Sequence, residues 1–136
     1  MTKDKLLPPT VESVREVSLR NHLALASCRS SAGNTALLGE LFIVASLSWF
    51  LREAGFGSKL DCFYREVQGA LERCLGLTSS SDAWTIEPGD EAILARLLCF
   101  YDQQFAAAPV HLMDGARKRM LRLAQGERLF PWPDRE

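Results

Sequence analysis

Hydrophobic positions dominate the segment from Ala36 to Leu51, where twelve of sixteen residues are apolar and the run from Leu41 to Ala45 is unbroken. No polar face survives through its middle, and a helix that is apolar all round has to be buried. As a helix the run measures about 24 Å, short of the roughly 30 Å hydrocarbon core, and Glu40, Ser46 and Ser48 interrupt it. The segment therefore predicts the central helix of a soluble bundle.

Four further helices follow from the spacing of apolar residues on either side. Thr10, after Pro8 and Pro9, is a candidate N-cap for a first helix from Val11 to Cys28 or Arg29, with Ser13 and Glu16 as an alternative capping box. Val14, Val17, Asn21, Ala24 and Cys28 form one stripe of that helix, and Leu19, Leu23 and Ala26 form a second, which predicts contacts on two sides. A break at Ser30–Asn34 and a cap at Asn34 or Thr35 precede the central helix, which lasts to about Ala54. Gly55 is a candidate C′ residue.

Ser58, with Asp61 three residues on, predicts the start of a third helix. It carries Leu60, Phe63, Tyr64, Val67, Leu71, Cys74 and Leu75 on one face and stops at Gly76. Leu77 to Pro88, with its serine cluster, reads as a surface connection, and Trp84 and Ile86 as a short extended piece tacked to the bundle. A fourth helix from about Pro88 buries Ile93, Leu94, Leu97, Leu98, Tyr101 and Phe105. Within it Gln104, between the Tyr101 and Phe105 positions, is placed to hydrogen-bond inside the bundle. A fifth, with Pro109 in its first turn, buries Leu112, Met113, Ala116, Met120, Leu123 and Ala124 and ends at Gly126.

Size and composition agree with one such bundle. A chain of 136 residues with 47% hydrophobic and 24% charged residues is expected to form one domain, with 1–9 as a flexible lead and 127–136 as an aromatic and proline tail. A net charge of −1 gives no overall pull toward nucleic acid or acidic membrane. Cys28, Cys62, Cys74 and Cys99 contain no C-x-x-C pair, and Cys62 and Cys74 lie about 18 Å apart along one helix, so they read as free, inert thiols in a reducing compartment. The first residues lack the apolar stretch of a secretory signal, which makes the cytoplasm the expected location.

Candidate chemistry is sparse. His22 and His111 belong to no H-x-x-x-H or E-x-x-H arrangement, and no nucleotide or nucleophile-elbow motif occurs, so no catalytic residue, metal ligand or cofactor site is assigned. Arg117, Lys118, Arg119 and Arg122, joined by Arg128, are a candidate anion or nucleic-acid contact. They also suit the C-terminal end of a helix dipole without any ligand. The Arg52–Ser58 turn has a local likeness to a helix-turn-helix, whereas the next helix mixes Lys59 and Arg65 with Asp61 and Glu66, as an ordinary helix hairpin would. Candidate interface residues are Asn21, a lone polar residue in an apolar seam, with Leu19, Leu23, Phe130 and Trp132. The last two either dock on the bundle or stand exposed as a recognition segment.

Ser18 to Cys28, the apolar helix ending in Trp49-Phe50-Leu51, and the segment EAILARLLCFYDQQ resemble short bacterial helical proteins of unknown function, some labelled transcriptional regulators of the Fis type. The resemblance spans most of the chain and carries over no functional residue. It departs from Fis proteins in lacking a basic recognition helix near the C-terminus. The combined expectation is an all-α, single-domain bundle of about five helices. Its expected role is that of a non-enzymatic accessory or regulatory protein acting by helix-mediated association, most simply as a homodimer. The alternatives are a DNA-binding regulator using the turn and the basic last helix, and a small-ligand-binding bundle.

Overall fold

A computed structural model describes residues 3–29, 35–59, 61–78, 84–126 and 128–133. Five helices, α1 (Val11–Arg29), α2 (Thr35–Glu53), α3 (Asp61–Thr78), α4 (Pro88–Ala107) and α5 (Val110–Gln125), form an all-α single-domain bundle, with no β-strand among the described residues. The expected break and cap at 30–34, Leu60 of the α3 stripe, the serine cluster at 79–81, and residues 127 and 134–136 of the tail lie outside the described residues.

α2 sits at the centre and packs against α1, α3, α4 and α5. Leu41, Ala45 and Leu51 are fully enclosed, and Leu38, Val44, Leu47, Trp49 and Phe50 nearly so. Each large apolar side chain buried this way contributes about 1.5–3 kcal/mol, so α2 is the main source of core stability. By length and composition alone α2 would suffice to cross a membrane, but 56% of its apolar window is buried inside the bundle. It occupies the place of a core helix.

The helix ends follow local chemistry. Thr10 caps α1: its Oγ1 accepts the backbone N–H of Ser13 at 3.1 Å. Pro88 opens α4, where a missing N–H costs nothing, and Ala108 and Pro109 turn extended to end it. Two boundaries of α3 differ from expectation. The helix starts at Asp61 rather than Ser58, because Gly57 holds a left-handed φ of +104° against Phe100 and the Phe56 carbonyl accepts from Gln104. It also runs through Gly76 to Thr78, whose hydroxyl donates to the Leu75 carbonyl at 2.7 Å and supplies the capping that glycine was expected to give.

The described parts of the lead and of the tail are both tied down. The lead, expected to be flexible, forms a 3-10 turn at Lys3–Leu6 and is stitched to α5. Val110 N–H donates to the Leu7 carbonyl, His111 Nδ1 to the Lys5 carbonyl at 2.9 Å, and Lys5 pairs with Asp114 at 3.2 Å. Trp84 and Ile86 are buried as expected, with Ile86 N–H donating to the Cys28 carbonyl. The tail docks: Trp132 is 3% exposed, packs on Trp49 and Tyr64, and donates from Nε1 to Gln68 Oε1 at 2.6 Å.

A polar network crosses the core. Gln104 accepts from Ser48 Oγ at 2.6 Å and donates through Nε2 to the carbonyls of Ser48 and Phe56, while Ser48 Oγ also meets the Tyr64 hydroxyl at 3.0 Å. Every polar side-chain atom in it has a partner, as a buried network requires. Burial pushes the Tyr64 hydroxyl pKa up, and the bond to Ser48 and the Arg52 charge offset part of that.

Candidate functional site

α5 was expected to bury a stripe from Leu112 to Ala124. Only Met113 and Ala116 are buried; Leu112, Met120 and Leu123 are half-covered and Ala124 is exposed. The later turns of α5 therefore stand off from the core and leave a groove of about 460 Å³ against the first turns of α2. Thr35, Leu38, Gly39, Phe42, Ile43 and Ser46 form the α2 side. Met120, Leu121, Leu123 and Ala124 form the α5 side, and Leu75 of α3 and Leu129 of the tail complete the lining with the exposed Arg128.

Nine large apolar residues are exposed among the described residues, and four of them, Ile43, Leu75, Leu121 and Leu129, line this one groove. Scattered surface leucines need no explanation, but their convergence on a concavity is the usual mark of a binding surface. A Cβ added at Gly39 would meet nothing within 4 Å, so α2 carries its one groove-facing glycine where the floor is open.

The groove leads into a shallower depression of about 340 Å³ lined by Arg119, Arg122, Arg128, Phe50 and Pro131, and the two share Leu123 and Arg128. Arg119 lies over the Phe50 ring, 4.4 Å from its centroid, and reaches Glu53 at 3.2 Å. Arg128 is steadied by a bond from Nη2 to the Trp132 carbonyl at 3.3 Å. Arg122 and Lys118 form no ion pair among the described residues, and Arg117 pairs at 3.5 Å with Asp114 one turn earlier. Of the predicted cationic residues, Arg119 and Arg122 join Arg128 beside the groove and also line, with Lys118 and His111, a neighbouring hollow, while Arg117 turns toward Asp114.

Three of the candidate interface residues are covered by their own chain. Asn21 is 2% exposed and faces the interior of its own chain, where its Nδ2 has no partner among the described residues. Trp132 is buried, and Phe130 is half-buried between Phe42 and Trp132, with centroids 5.4 and 5.0 Å away, because prolines on either side of Trp132 let the tail lie flat on the bundle. Leu19 and Leu23, by contrast, are 62% and 55% exposed on the outer face of α1.

The thiols divide as well. Cys28 and Cys74 are buried, and burial pushes the Cys74 pKa up to about 12. Cys62 and Cys99, read as inert like the others, are exposed, because the buried stripes of α3 and α4 pass through their neighbours Phe63 and Leu98.

One cluster was not foreseen. Ser18 Oγ donates to Asp102 Oδ2 at 2.9 Å, and His22 Nε2 lies 2.9 Å from the same oxygen, joining α1 to α4. In a nucleophilic triad the imidazole stands between hydroxyl and carboxylate; here the carboxylate is the hub, so the three groups serve as a latch between helices. Arg73 and Asp90 make a second such clamp, with both Asp90 oxygens accepting from Nε at 3.0 Å. Sequence offered little signal for either, since the partners are 80 and 17 residues apart. Comparison with protein-family models, with curated proteins and with solved structures finds no match.

Proposed function

We propose that this chain is a non-enzymatic accessory or regulatory protein that works by binding at the open apolar groove between α2 and α5. The observation that carries this reading is the convergence of Ile43, Leu75, Leu121 and Leu129 on one concavity of about 460 Å³. Exposing these side chains costs solubility, and a ligand or partner that covers them recovers the transfer free energy. A cytoplasmic setting suits the four free thiols. The DNA-binding alternative is weaker, because around α3 Asp61, Glu66 and Glu72 balance Lys59, Arg65 and Arg73, and Arg73 is itself held by Asp90, so phosphates would meet no cationic excess there.

The test is a neutral hydrophobic fluorophore such as Nile red. It should bind with saturable, one-to-one stoichiometry, and Gly39→Phe, whose Cβ has open space and whose ring would occupy the groove, should abolish the signal. Non-saturable binding, or binding unaffected by Gly39→Phe, would remove this reading.

A second reading, self-association as a homodimer, is favoured by the exposed i,i+4 pair Leu19 and Leu23, which provides an apolar ridge on α1 for a second copy. Light scattering over a concentration series, repeated with Leu19→Ser and Leu23→Ser together, checks it. A wild-type dimer that becomes a monomer on substitution supports the ridge, and a monomer throughout rejects it.

A further inference from the structure

We infer that the natural occupant of the groove is an anionic amphiphile with a single aliphatic chain, its chain lying along α2 and its acidic head meeting Arg122, Arg128 and Arg119. The inference rests on the groove being a binding site, and adds what it binds.

The lining is largely apolar: Leu38, Phe42 and Ile43 on one side, Met120 and Leu121 on the other, with the hydroxyls of Thr35 and Ser46 and no charged side chain until Arg128. Such a surface offers an acidic head group no charged partner and suits an alkyl chain, at about 0.8 kcal/mol per methylene buried, or roughly a fourfold change in affinity for each. Polarity changes abruptly at the end that Leu123 and Arg128 share with the second depression, where three guanidinium groups converge against one carboxylate, Glu53. Guanidinium groups present paired N–H donors suited to a carboxylate or phosphate.

Two of the three are already positioned, Arg119 over Phe50 and Arg128 on the Trp132 carbonyl, so little side-chain freedom is lost on binding. A neutral chain would leave this end unused, and a cationic amphiphile would be repelled by it. A groove some 460 Å³ in size falls in the range of small-molecule sites.

Isothermal titration of the full-length chain with monomeric dodecanoate tests the assignment, with dodecanol and dodecyltrimethylammonium as neutral and cationic counterparts of equal chain length. Dodecanoate should bind one to one, about tenfold more tightly than dodecanol, the ratio one charge-assisted hydrogen bond supplies, and the cation more weakly still. Decanoate should bind about fifteenfold more weakly than dodecanoate, from two methylenes lost. Arg122→Gln with Arg128→Gln should bring dodecanoate down to the dodecanol affinity and leave dodecanol unchanged. Circular dichroism would confirm that this variant, altered only on the surface, remains folded.

Equal affinity for the three amphiphiles, or dodecanoate binding that survives Gly39→Phe, would overturn the proposal. If Nile red still binds in the groove while dodecanoate does not, the groove remains a site and only the ligand class falls; if neither binds, both readings fall. Cosedimentation with anionic lipid vesicles in the absence of dodecanoate distinguishes a free acid from a membrane lipid. Binding to vesicles only would also overturn the assignment of a soluble single-chain ligand.

Discussion

Trp132 donates its indole N–H to Gln68 Oε1 at 2.6 Å, and through that bond the tail is fastened across the α3 face that Trp49 and Tyr64 complete. The same strap sets Arg128 and Leu129 at the mouth of the groove, so a contact made deep in the aromatic cluster shapes the binding surface outside it.

Removing the indole should loosen both. Trp132→Ala is expected to cost about 3–5 kcal/mol by leaving a cavity among Trp49, Tyr64 and Phe130, and to leave Gln68 without its buried donor. Trp132→Phe should cost less, because the ring packing survives. Chemical denaturation measures both, and a Trp132→Ala midpoint equal to wild type would mean that the tail is not docked in solution.

Gln104 holds three groups from two segments, the Ser48 hydroxyl and carbonyl on α2 and the Phe56 carbonyl in the turn after it. Gln104→Leu keeps the volume but takes the side-chain donor from the Phe56 and Ser48 carbonyls and leaves the Ser48 hydroxyl with Tyr64 as its remaining side-chain partner. Each buried group left unsatisfied costs about 1–3 kcal/mol, so this substitution should destabilise the protein by more than an ordinary surface change, again read as a shift in denaturation midpoint. Little change would show that water enters the network.

Thiol reactivity reports on packing directly. In the native protein a thiol reagent such as Ellman's should label Cys62 and Cys99 quickly, and Cys28 and Cys74 only after denaturant is added. Peptide mapping assigns the labels. Rapid labelling of Cys74 would contradict its place in the core.

Alkaline pH should weaken the fold. Burial holds the Tyr101 hydroxyl and the Cys74 thiol in their protonated forms, with pKa values pushed up to about 12 from ordinary values of 10.0 and 9.0. The folded state then binds protons that the unfolded chain has already released, so this stability is complete below pH 9 and is lost progressively as pH rises toward 12. Urea midpoints measured across that interval should fall. Tyr101→Phe with Cys74→Ala should flatten the decline, and a midpoint independent of pH would exclude this linkage.

Gly39→Leu should raise the melting temperature. It replaces a helical glycine with a strong helix former in open space, a gain of about 0.5–1 kcal/mol. A fall would mean that the groove floor is closed in solution.

By itself the sequence determined the helices, because periodicity and capping are local. The apolar run of α2 demanded burial on every side, Thr10 and Pro88 marked helix starts, and Gln104 in an apolar stripe announced an internal hydrogen bond. Only the tertiary structure decided how well each stripe is covered. The apolar spacing of Met120, Leu123 and Ala124 is the same whether a neighbour lies against them or not, and it is the path of α5 over α2 that leaves them open. It likewise decided that Asn21 faces inward, that Trp132 docks, and that Arg119, Arg122 and Arg128 gather at one end of the groove. Such meetings depend on how whole helices pack, and residues distant in the chain carry no local mark of the partner they will find.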